Sequence, residues 1–297
     1  MYILKGAELM IDVIINPIAG NGLAKRIGEK VMEALKSRSI ACQVYFTNAP
    51  GHATVLAQES SRRGIETVLA VGGDGTAYEV ASGLYHTKTA LGLIPAGTGN
   101  DFIKSIGIPK DPMLALEHIL AHAPRPVDMG RMNDQLFLNV CGTGFDVTVL
   151  EYTLKAKKLV RGMLPYLYGV IRTIFSFKPV HMRIVIDNEA TLEGSYLQCS
   201  VANGRYFGGG IAISPTSQVD DGLLDVVVLR SIPNWKMFFY LPGLVLGKVD
   251  TFPITSHYRC SQVQIDAPGM RLNVDGEILP ISKVSFSPVK DALLVHW

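Results

Sequence analysis

The sequence lacks the cysteine pattern and the charge that would mark several large classes of protein. Its four cysteines, Cys42, Cys141, Cys199 and Cys260, are scattered without a short paired spacing, so neither a disulfide framework nor a cysteine-based zinc site is indicated. The formal net charge of +2 is too small to indicate a nucleic-acid partner, which would need a strongly basic domain or stripe. We therefore expect a reducing, cytoplasmic setting and no nucleic acid.

Long hydrophobic runs are also missing. The most apolar stretch, Met237 to Val249, is interrupted by proline, glycine and lysine, and it is shorter than the ~20 residues that a helix needs to cross a bilayer. The first ten residues lack the apolar core and the cleavage site of a signal peptide. Any membrane contact is expected to be peripheral, at the inner face of the membrane.

The composition and the order of the hydrophobic segments predict two domains. A chain of 297 residues, 48% hydrophobic and 18% charged, is folded and exceeds the size of one typical core. From Ile11 to about Asp128, short β-branched runs alternate with helical segments, which predicts a doubly wound, largely parallel sheet. After Asp128, strand-like runs separated by Gly and Asn/Asp turns predict a β-rich domain, with a mostly helical insertion at Tyr152–Ser176 and a helical or loop-like one at Trp235–Val249.

The individual elements follow from hydrophobic spacing and from turn residues. The predicted strands are Ile11–Ile15, Ala41–Phe46, Thr67–Val71, Leu91–Pro95, Gln135–Val140, Met182–Ile186, Ser195–Ala202 and Leu223–Leu229. The predicted helices of the first domain are Leu23–Arg38, His52–Arg63, Thr76–Leu84 and Pro112–His122.

The strongest chemical signal is the turn Gly72-Gly73-Asp74-Gly75-Thr76, where a buried strand passes into a helix. Glycines at such a point let backbone N–H groups at a helix N-terminus approach an anion, which predicts a phosphate cradle. Asp74 is then a candidate for binding Mg²⁺ or holding an acceptor hydroxyl, and Thr76 for donating to a phosphate oxygen. The alternative is an ordinary tight turn in which Asp74 caps the helix.

Two further glycine turns follow strands of the same predicted sheet. Pro95-Ala96-Gly97-Thr98-Gly99-Asn100-Asp101-Phe102 repeats the small-residue pattern, and Asn16–Gly22 is a weaker example. Turns after parallel strands meet at one edge of the sheet, so we expect one shared site. The sequence contains no Walker A motif, no Gly-x-Gly-x-x-Gly after a strand and no His-Arg-Asp triplet, which excludes a P-loop.

Acidic turns in the second half of the chain are weaker candidates. Asn273-Val274-Asp275-Gly276-Glu277 offers two carboxylates, either of which could serve as a general base, although Asp-Gly is also the commonest hairpin signal. Val219–Leu223 offers carboxylates and turn carbonyls of the kind that Mg²⁺ prefers, or a simple solvated turn. Asp128, at the expected domain junction, is either a ligand-contacting acid or a turn residue.

One stretch is basic and aromatic without any acid. Between Glu151 and Asp187, lysines and arginines alternate with Leu, Met, Tyr and Phe, a combination that suits an anionic bilayer surface. The alternative is an amphipathic helix whose apolar face belongs to the core. Residues 152–183 are thus a candidate for membrane recruitment.

Taken together, these motifs resemble the bacterial diacylglycerol-kinase-like lipid kinases, which are related to the sphingosine kinases. The match covers nearly the whole chain and rests on Gly72–Thr76, Pro95–Phe102, Asp220–Leu223 and Asp275–Glu277. NAD kinases and phosphofructokinases share the first motif but lack the Gly-Thr-Gly-Asn-Asp-Phe stretch. The resemblance implies an ATP- and Mg²⁺-dependent enzyme that phosphorylates a lipid hydroxyl.

The resemblance also implies roles for individual residues. Nucleotide contacts fall on Asn16, Pro17, Ile18, Ala19, Gly20, Thr47, Gly72, Gly73, Asp74, Gly75, Thr76, Ala77, Tyr78 and Thr98. Asp74 sits at the catalytic magnesium, and a structural magnesium is held by Gln218, Asp221 and Leu223. Glu277 matches the usual proton acceptor, with Asp275 beside it, although the residues alone leave Glu277, Asp275 and Asp74 open as the base.

The implied fold pairs an α/β nucleotide-binding domain, residues 1–130 plus 287–297, with a β-sandwich domain, residues 131–286. Two other functions stay open, a soluble-substrate kinase of the NAD kinase type and a non-catalytic nucleotide- or lipid-binding regulator. The sequence does not select the lipid, and it leaves the oligomeric state open, with a homodimer as one alternative.

Overall fold

The computed structural model describes residues 10–157 and 164–297, which form two compact units. The first unit runs to Met129 and takes in Val219–Asp221 and Val289–Trp297; the second comprises Gly130–Gln218 and Gly222–Pro288. The predicted domain boundaries stay predictions.

The first unit alternates strands and helices, as the hydrophobic pattern predicts. Its elements are β1 (Met10–Ile15), α1 (Leu23–Ser37), β2 (Ala41–Phe46), α2 (His52–Arg62), β3 (Thr67–Gly72), α3 (Asp74–Leu84), β4 (Ala90–Pro95), α4 (Asp101–Ser105) and α5 (Pro112–Ala121). Every residue of β3 and β4 is buried, which is typical of parallel strands that are covered by helices on both faces.

The strands of this unit form a parallel sheet in the order β2-β1-β3-β4. Val13 of β1 lies opposite Val44 on one side and Leu69 on the other. The sheet is extended by the end of the last strand of the chain, where Leu294 pairs in parallel with Ala90. All four strands therefore end at the same edge, and the turns that follow them are gathered there.

Helix α1 shows why these segments are helical. Its buried residues recur at helical spacing and face the sheet: Ala24, Ile27, Val31 and Leu35. Gly28, also buried, lets the side chain of Ile15 lie against the helix backbone, where any larger residue would collide with it. The hydrophobic spacing alone therefore predicts both the position of the helix and its buried face.

The second unit is mostly antiparallel. Its elements are β5 (Arg125–Met132), β6 (Gln135–Phe137), β7 (Val140–Gly144), α6 (Phe145–Lys157), α7 (Leu164–Ser176), β8 (Val180–Ile186), β9 (Ala190–Ala202), β10 (Tyr206–Phe207), β11 (Ile211–Ala212), β12 (Leu224–Arg230), α8 (Met237–Val245), β13 (Thr255–Cys260), β14 (Val263–Asp266), β15 (Arg271–Val274), β16 (Glu277–Pro280) and β17 (Lys283–Val295). Strands β5 and β17 contribute residues to both units.

The long strand β9 organises this unit. Its first half pairs with β8, and its second half pairs with β7 on one side and with β12 on the other. Alternating residues of β12 then face two different cores. Val226 and Val228 point into a core formed by the strands, whereas Val227 and Leu229 pack with residues of α6, α7 and α8.

The structure divides one predicted strand. We expected a single strand at Gln135–Val140, but the chain breaks between β6 and β7 at Leu138 and Asn139. The backbone N–H groups of these two residues donate to the carboxylate of Asp275 instead of to a neighbouring strand. The break therefore has a partner that is remote in sequence, and a local pattern does not reveal it.

Candidate active site

The three glycine turns of the first unit lie together at the carboxyl edge of the parallel sheet. The backbone N–H of Asn16 donates to the carbonyl of Val71 at 3.1 Å, and that of Ala96 donates to Gly72 at 2.8 Å. Thr47, just after β2, is held by a 2.9 Å hydrogen bond to the carbonyl of Ile15. The expectation that these turns share one place is met.

Glycine is required where the turns touch. A methyl group added to Gly73 would lie 3.1 Å from the Cα of Gly97, and one added to Gly97 would collide with the Cα of Gly73. Gly20 adopts φ +58°, in the left-handed region, and a side chain there would strike the carbonyl oxygen of Ala96. The glycines of all three turns therefore allow a backbone-to-backbone contact.

A side-chain hydrogen bond joins the turn Asn16–Gly22 to the turn Gly72–Thr76. The Asn16 amide donates to the hydroxyl of Thr76 at 3.2 Å, and its oxygen accepts from the backbone N–H of Ile18 at 3.3 Å. Thr76 is buried, whereas Ile18 is 81% exposed. The Thr76 hydroxyl accepts the bond from Asn16, so its own proton remains available to an acceptor.

Asp74 is the first residue of α3, which begins two residues earlier than the predicted helix Thr76–Leu84. Gly73 occupies the N-cap position, so Asp74 does not cap its own helix. Its Oδ1 accepts hydrogen bonds from the backbone N–H groups of Asp101, at 2.6 Å, and Phe102, at 3.3 Å. Burial raises the pKa of the Asp74 carboxyl, and the nearby Asp101 carboxylate raises it further.

The second glycine turn ends in a short helix, α4, that we did not predict. Asn100 adopts φ +53°, and its side-chain amide closes the turn by accepting from Gly97 N at 3.2 Å and donating to Gly97 O at 2.9 Å. Asp101 is buried and pairs with Lys104 at 3.2 Å. Neither Asn100 nor Asp101 was a predicted site residue, although the Asn-Asp pair after Gly-Thr-Gly is the sequence signal that marks them.

The other predicted nucleotide residues surround these contacts with differing exposure. Gly75 and Thr98 are exposed, and an added methyl group at Gly75 meets no atom within 4 Å. The half-buried members of the set are Pro17, Ala19, Thr47 and Tyr78, and Ala77 is buried. The open space at the N-terminus of α3 is therefore beside Gly75.

In the second unit, Asp275 and Gly276 form the two-residue turn of the β15–β16 hairpin. Both have positive φ, +44° and +98°, as a turn that matches the twist of the strands requires. Both carboxylate oxygens of Asp275 accept backbone N–H groups, Oδ2 from Leu138 at 2.9 Å and Oδ1 from Asn139 at 3.2 Å. Glu277, the first residue of β16, is exposed.

The buried carboxylate of Asp146, which was not among the predicted site residues, supports this hairpin. Asn273 donates to Asp146 Oδ2 at 3.2 Å and accepts from the backbone N–H of Gly276 at 3.0 Å. Burial raises the pKa of Asp146 to about 6, and its Oδ1 has no hydrogen-bond partner among the described residues. The signal is present in Gly142-Thr143-Gly144-Phe145-Asp146, where an acid again follows small residues at the start of a helix.

The residues predicted to hold a structural magnesium are spread along one turn. Gln218 is exposed, and Asp221 and Leu223 are half-buried. No group of three or more His, Cys, Asp or Glu side chains that could hold a metal ion occurs in residues 10–157 and 164–297. The predicted magnesium site differs from such a group, because two of its three ligands are backbone carbonyls. It therefore stays a prediction.

Asp128, the predicted junction acid, has a structural partner. It is buried, and its Oδ1 accepts the backbone N–H of Asp291 at 2.9 Å. Its own N–H donates to the carbonyl of Val219 at 2.6 Å. It therefore ties the segments 219–221 and 289–297 to the first unit.

Both halves of the chain match family models. Residues 10–132 match the diacylglycerol kinase catalytic domain, and residues 139–296 match the YegS C-terminal NAD kinase beta sandwich-like domain. This chain belongs to the diacylglycerol kinase family of lipid kinases. It is a phosphotransferase, and the predicted α/β and β-sandwich fold classes are confirmed.

Relatives in this kinase family cover most of the chain. The diacylglycerol kinase of Bacillus subtilis (strain 168) is 30% identical over 271 residues, which are 89% of this chain and 88% of the relative. A "Probable lipid kinase YegS-like" of Pseudomonas aeruginosa (strain UCBPP-PA14) is 35% identical over 264 residues, 87% of this chain and 85% of the relative. A crystal structure of a diacylglycerol kinase from Bacillus anthracis str. Sterne superposes with a TM-score of 0.81 at 25% identity, covering 99% of this chain and 98% of that one.

Proposed function

We propose that this kinase transfers the γ-phosphate of ATP to the hydroxyl group of a lipid and that it requires Mg²⁺. The observation that carries the proposal is the position of Asp74, which belongs to the turn Gly72–Thr76 and binds the neighbouring turn Pro95–Phe102 through its carboxylate. Small residues that bring backbone close to a ligand, next to an acid, are what phosphate and its metal ion require.

The phosphates of ATP are proposed to bind at the N-terminus of α3. Helix N-termini present free N–H groups and a partial positive charge to anions. Gly75 leaves open space at this point, and Thr76 keeps a hydroxyl proton to donate. Asn16–Gly20, Thr47, Gly72–Tyr78 and Thr98 are proposed to complete the nucleotide contacts, because the turns that carry them are joined by hydrogen bonds.

The donor set fits a divalent cation beside Asp74. Two carboxylates, Asp74 and Asp101, lie close enough for one to raise the pKa of the other, a repulsion that a cation would relieve. Mg²⁺ neutralises charge on phosphate oxygens during transfer. We propose that Gln218 and Leu223, through their carbonyls, and Asp221, through its side chain, hold a second, structural magnesium.

Glu277 is proposed as the base that accepts the hydroxyl proton. Asp275 is the weaker candidate, because both of its oxygens already accept backbone N–H groups and hold the hairpin turn to Leu138 and Asn139. Hydrogen bonds of this kind stabilise the charged form of a carboxylate and reduce its basicity. The Glu277 carboxylate is exposed at the start of β16, and the hairpin turn is held by Asp275 and not by Glu277.

The acceptor is proposed to be diacylglycerol or a related lipid alcohol, because the B. subtilis relative carries that name. Phosphatidylglycerol, a sphingoid base or a polyprenol would offer the same reacting group. We propose that the enzyme meets this acceptor at a membrane surface. No helix within residues 10–157 and 164–297 has both the length and the apolar character needed to cross a bilayer.

Transfer of radiolabel from γ-labelled ATP tests the proposal. The protein is incubated with Mg²⁺ and a panel of lipids in mixed micelles, and label is followed into the organic phase, with Asp74→Ala as the matched variant. Label in one lipid, lost with Asp74→Ala and with chelation of Mg²⁺, is the expected result. Label in a water-soluble acceptor such as NAD would support a soluble-substrate kinase, and saturable ATP binding without any transfer would support a regulator.

A further inference from the structure

Helix α8 is apolar on both of its faces. The inward residues pack into the core beneath the helices: Met237, Leu241 and Leu244. The outward residues, together with the one that follows the helix, are exposed: Phe238, Phe239, Val245 and Leu246. Phe239 is 74% exposed and Leu246 69% exposed. A helix that is apolar all round is normally covered on all sides, so the outer face of α8 indicates an additional partner.

The exposed face continues onto α7. The ring of Phe175 lies 6.0 Å from that of Phe238, and Trp235 lies 6.1 Å from Phe239. The side chain of Asn234 donates to the carbonyl of Phe177 at 3.1 Å, which fixes the turn before α8 to the end of α7.

Helical spacing extends this surface along α7, because residues three to four positions apart share one side of a helix. We call the whole surface the apolar patch, formed by the exposed residues Leu164, Leu167, Ile171, Phe175, Trp235, Phe238, Phe239, Val245 and Leu246. All of them belong to the second unit.

Within the two chain segments that carry the apolar patch, the charges have one sign; the acids that flank these segments in sequence are Glu151, Asp187, Asp225 and Asp250. No acid occurs in residues 152–186 or 226–249, the two segments that carry the patch. The exposed basic residues of these segments, within the part of the chain that the structure describes, are Lys155, Arg172, Lys178, Arg183, Arg230, Lys236 and Lys248. The Lys236 ammonium lies 5.6 Å from the centre of the Trp235 ring, so one positive charge sits at the aromatic surface itself. Lys158 and Arg161 lie outside the described residues.

We propose that the apolar patch docks on the surface of a bilayer that contains anionic lipid. Exposed aromatic and aliphatic residues bordered by lysine and arginine are the composition with which peripheral proteins enter the headgroup region. A second copy of the chain fits less well. In a two-fold interface the same patch would meet itself, and its basic residues would face one another without an acid from either segment to pair with.

The inference rests on the proposed lipid-kinase function, because an enzyme that phosphorylates a membrane lipid must reach its acceptor at the bilayer. Beyond that function, the inference assigns the surface that contacts the bilayer and the anionic class of lipid that attracts it. It also extends the predicted recruitment segment, residues 152–183, which stays a prediction. Helix α7 supplies part of the surface, including Phe175, and Trp235 to Leu246, outside that segment, supply the rest.

Sedimentation with vesicles tests the docking surface without ATP. The full-length chain is mixed with vesicles of phosphatidylcholine alone or with added phosphatidylglycerol. The test variant is Phe239→Ser with Leu246→Ser, and the matched control is Val55→Ser with Leu114→Ser, which replaces exposed apolar residues of α2 and α5. We expect the wild type and the control to prefer the anionic vesicles and the test variant to lose about tenfold or more in partitioning.

A second variant distinguishes loss of the docking surface from misfolding of the serine variant. Lys236→Glu with Lys248→Glu leaves the apolar residues in place and should weaken binding to anionic vesicles only. Both variants should phosphorylate a detergent-dispersed acceptor at the wild-type rate, so a failure of the kinase proposal would appear as no label with any of the proteins. Unchanged vesicle binding of both variants would overturn the inference, as would a dimer in the wild type that the serine variant converts to monomers.

Discussion

The backbone N–H of Asp101 donates a 2.6 Å hydrogen bond to the Oδ1 of Asp74. Asp74 opens helix α3 and Asp101 opens helix α4, so one carboxylate joins the two strand-to-helix turns of the candidate site. The same carboxylate carries the proposed metal contact. Its removal should therefore affect both the local structure and the chemistry, and two substitutions can separate these effects.

Asp74→Asn should keep the fold and lose the activity. The amide oxygen of asparagine can still accept from Asp101 and Phe102, but the charge proposed for Mg²⁺ is gone, so phosphate transfer should fall on the order of 10²–10⁴-fold. Asp74→Ala should in addition lower the free energy of unfolding by about 1–3 kcal/mol, since two buried donors lose their acceptor. Turnover and urea denaturation of both variants measure this, and an active Asp74→Asn would remove Asp74 from the mechanism.

Gly75→Ala and Gly97→Ala should have opposite effects on stability. A methyl group at Gly75 meets open space inside α3, where alanine is favoured by about 0.5–1 kcal/mol, so stability should rise slightly while ATP binding weakens. A methyl group at Gly97 would collide with Gly73, so that variant should lose both stability and ATP binding. Thermal unfolding and the KM for ATP check the pair. Unchanged ATP affinity in Gly75→Ala would contradict the proposed phosphate position.

Glu277→Gln and Asp275→Asn should separate the base from the residue that holds the turn. Glu277→Gln should reduce kcat by about 10²–10⁴-fold with little change in unfolding, because the side chain is exposed. Asparagine tolerates the positive φ of position 275 but offers one accepting oxygen in place of two, so Asp275→Asn should cost about 1–2 kcal/mol of stability. If instead Asp275→Asn loses turnover and Glu277→Gln keeps it, the two roles are reversed.

Asp146 should make the protein less stable as the pH rises. Burial raises its pKa to about 6 in the folded state, against about 3.9 in an unfolded chain, so the folded state binds more protons between these values. Its stabilising contribution is full below about pH 3.9 and is lost as the pH rises through about 6. Asp146→Asn should be more stable than the wild type by about 1–3 kcal/mol at neutral pH and equal to it near pH 4. The same difference at both pH values would contradict this.

His257 should also stabilise the protein at low pH. It lies between two acids, with Asp225 2.7 Å from Nε2 and Asp250 3.2 Å from Nδ1. The Asp225 hydrogen bond raises the pKa of His257 against the opposing effect of burial. The contribution is therefore full below about pH 6.5, the unfolded value, and is lost as the pH rises through the folded pKa. His257→Gln should lose about 1 kcal/mol at acidic pH and less at alkaline pH, measured by urea unfolding.

Much of the first unit could be predicted because its signals are local. Hydrophobic spacing gave β2 with both ends correct and α1 to within one residue. The glycine turns were found for the same reason, since each follows a buried strand directly. What the pattern missed was the short helix α4, whose start is fixed by Asp74, a residue far away in sequence.

The second unit was harder to predict because its key contacts are remote. The break between β6 and β7 depends on Asp275, and the Asp146–Asn273 pair joins residues on two different elements. No local pattern contains both partners of such a bond. The apolar outer face of α8 was equally hidden, since a segment that is apolar throughout does not show which of its sides is covered.

The direct measurement of the central claim is the amount of ADP released against the amount of phosphorylated lipid formed, for the wild type and for Asp74→Asn in the same micelles. Lipid phosphorylation by this site predicts equal amounts of the two products in the wild type and a parallel loss of both in the variant. ADP release without phosphorylated lipid, or lipid phosphorylation that persists in Asp74→Asn, would contradict it.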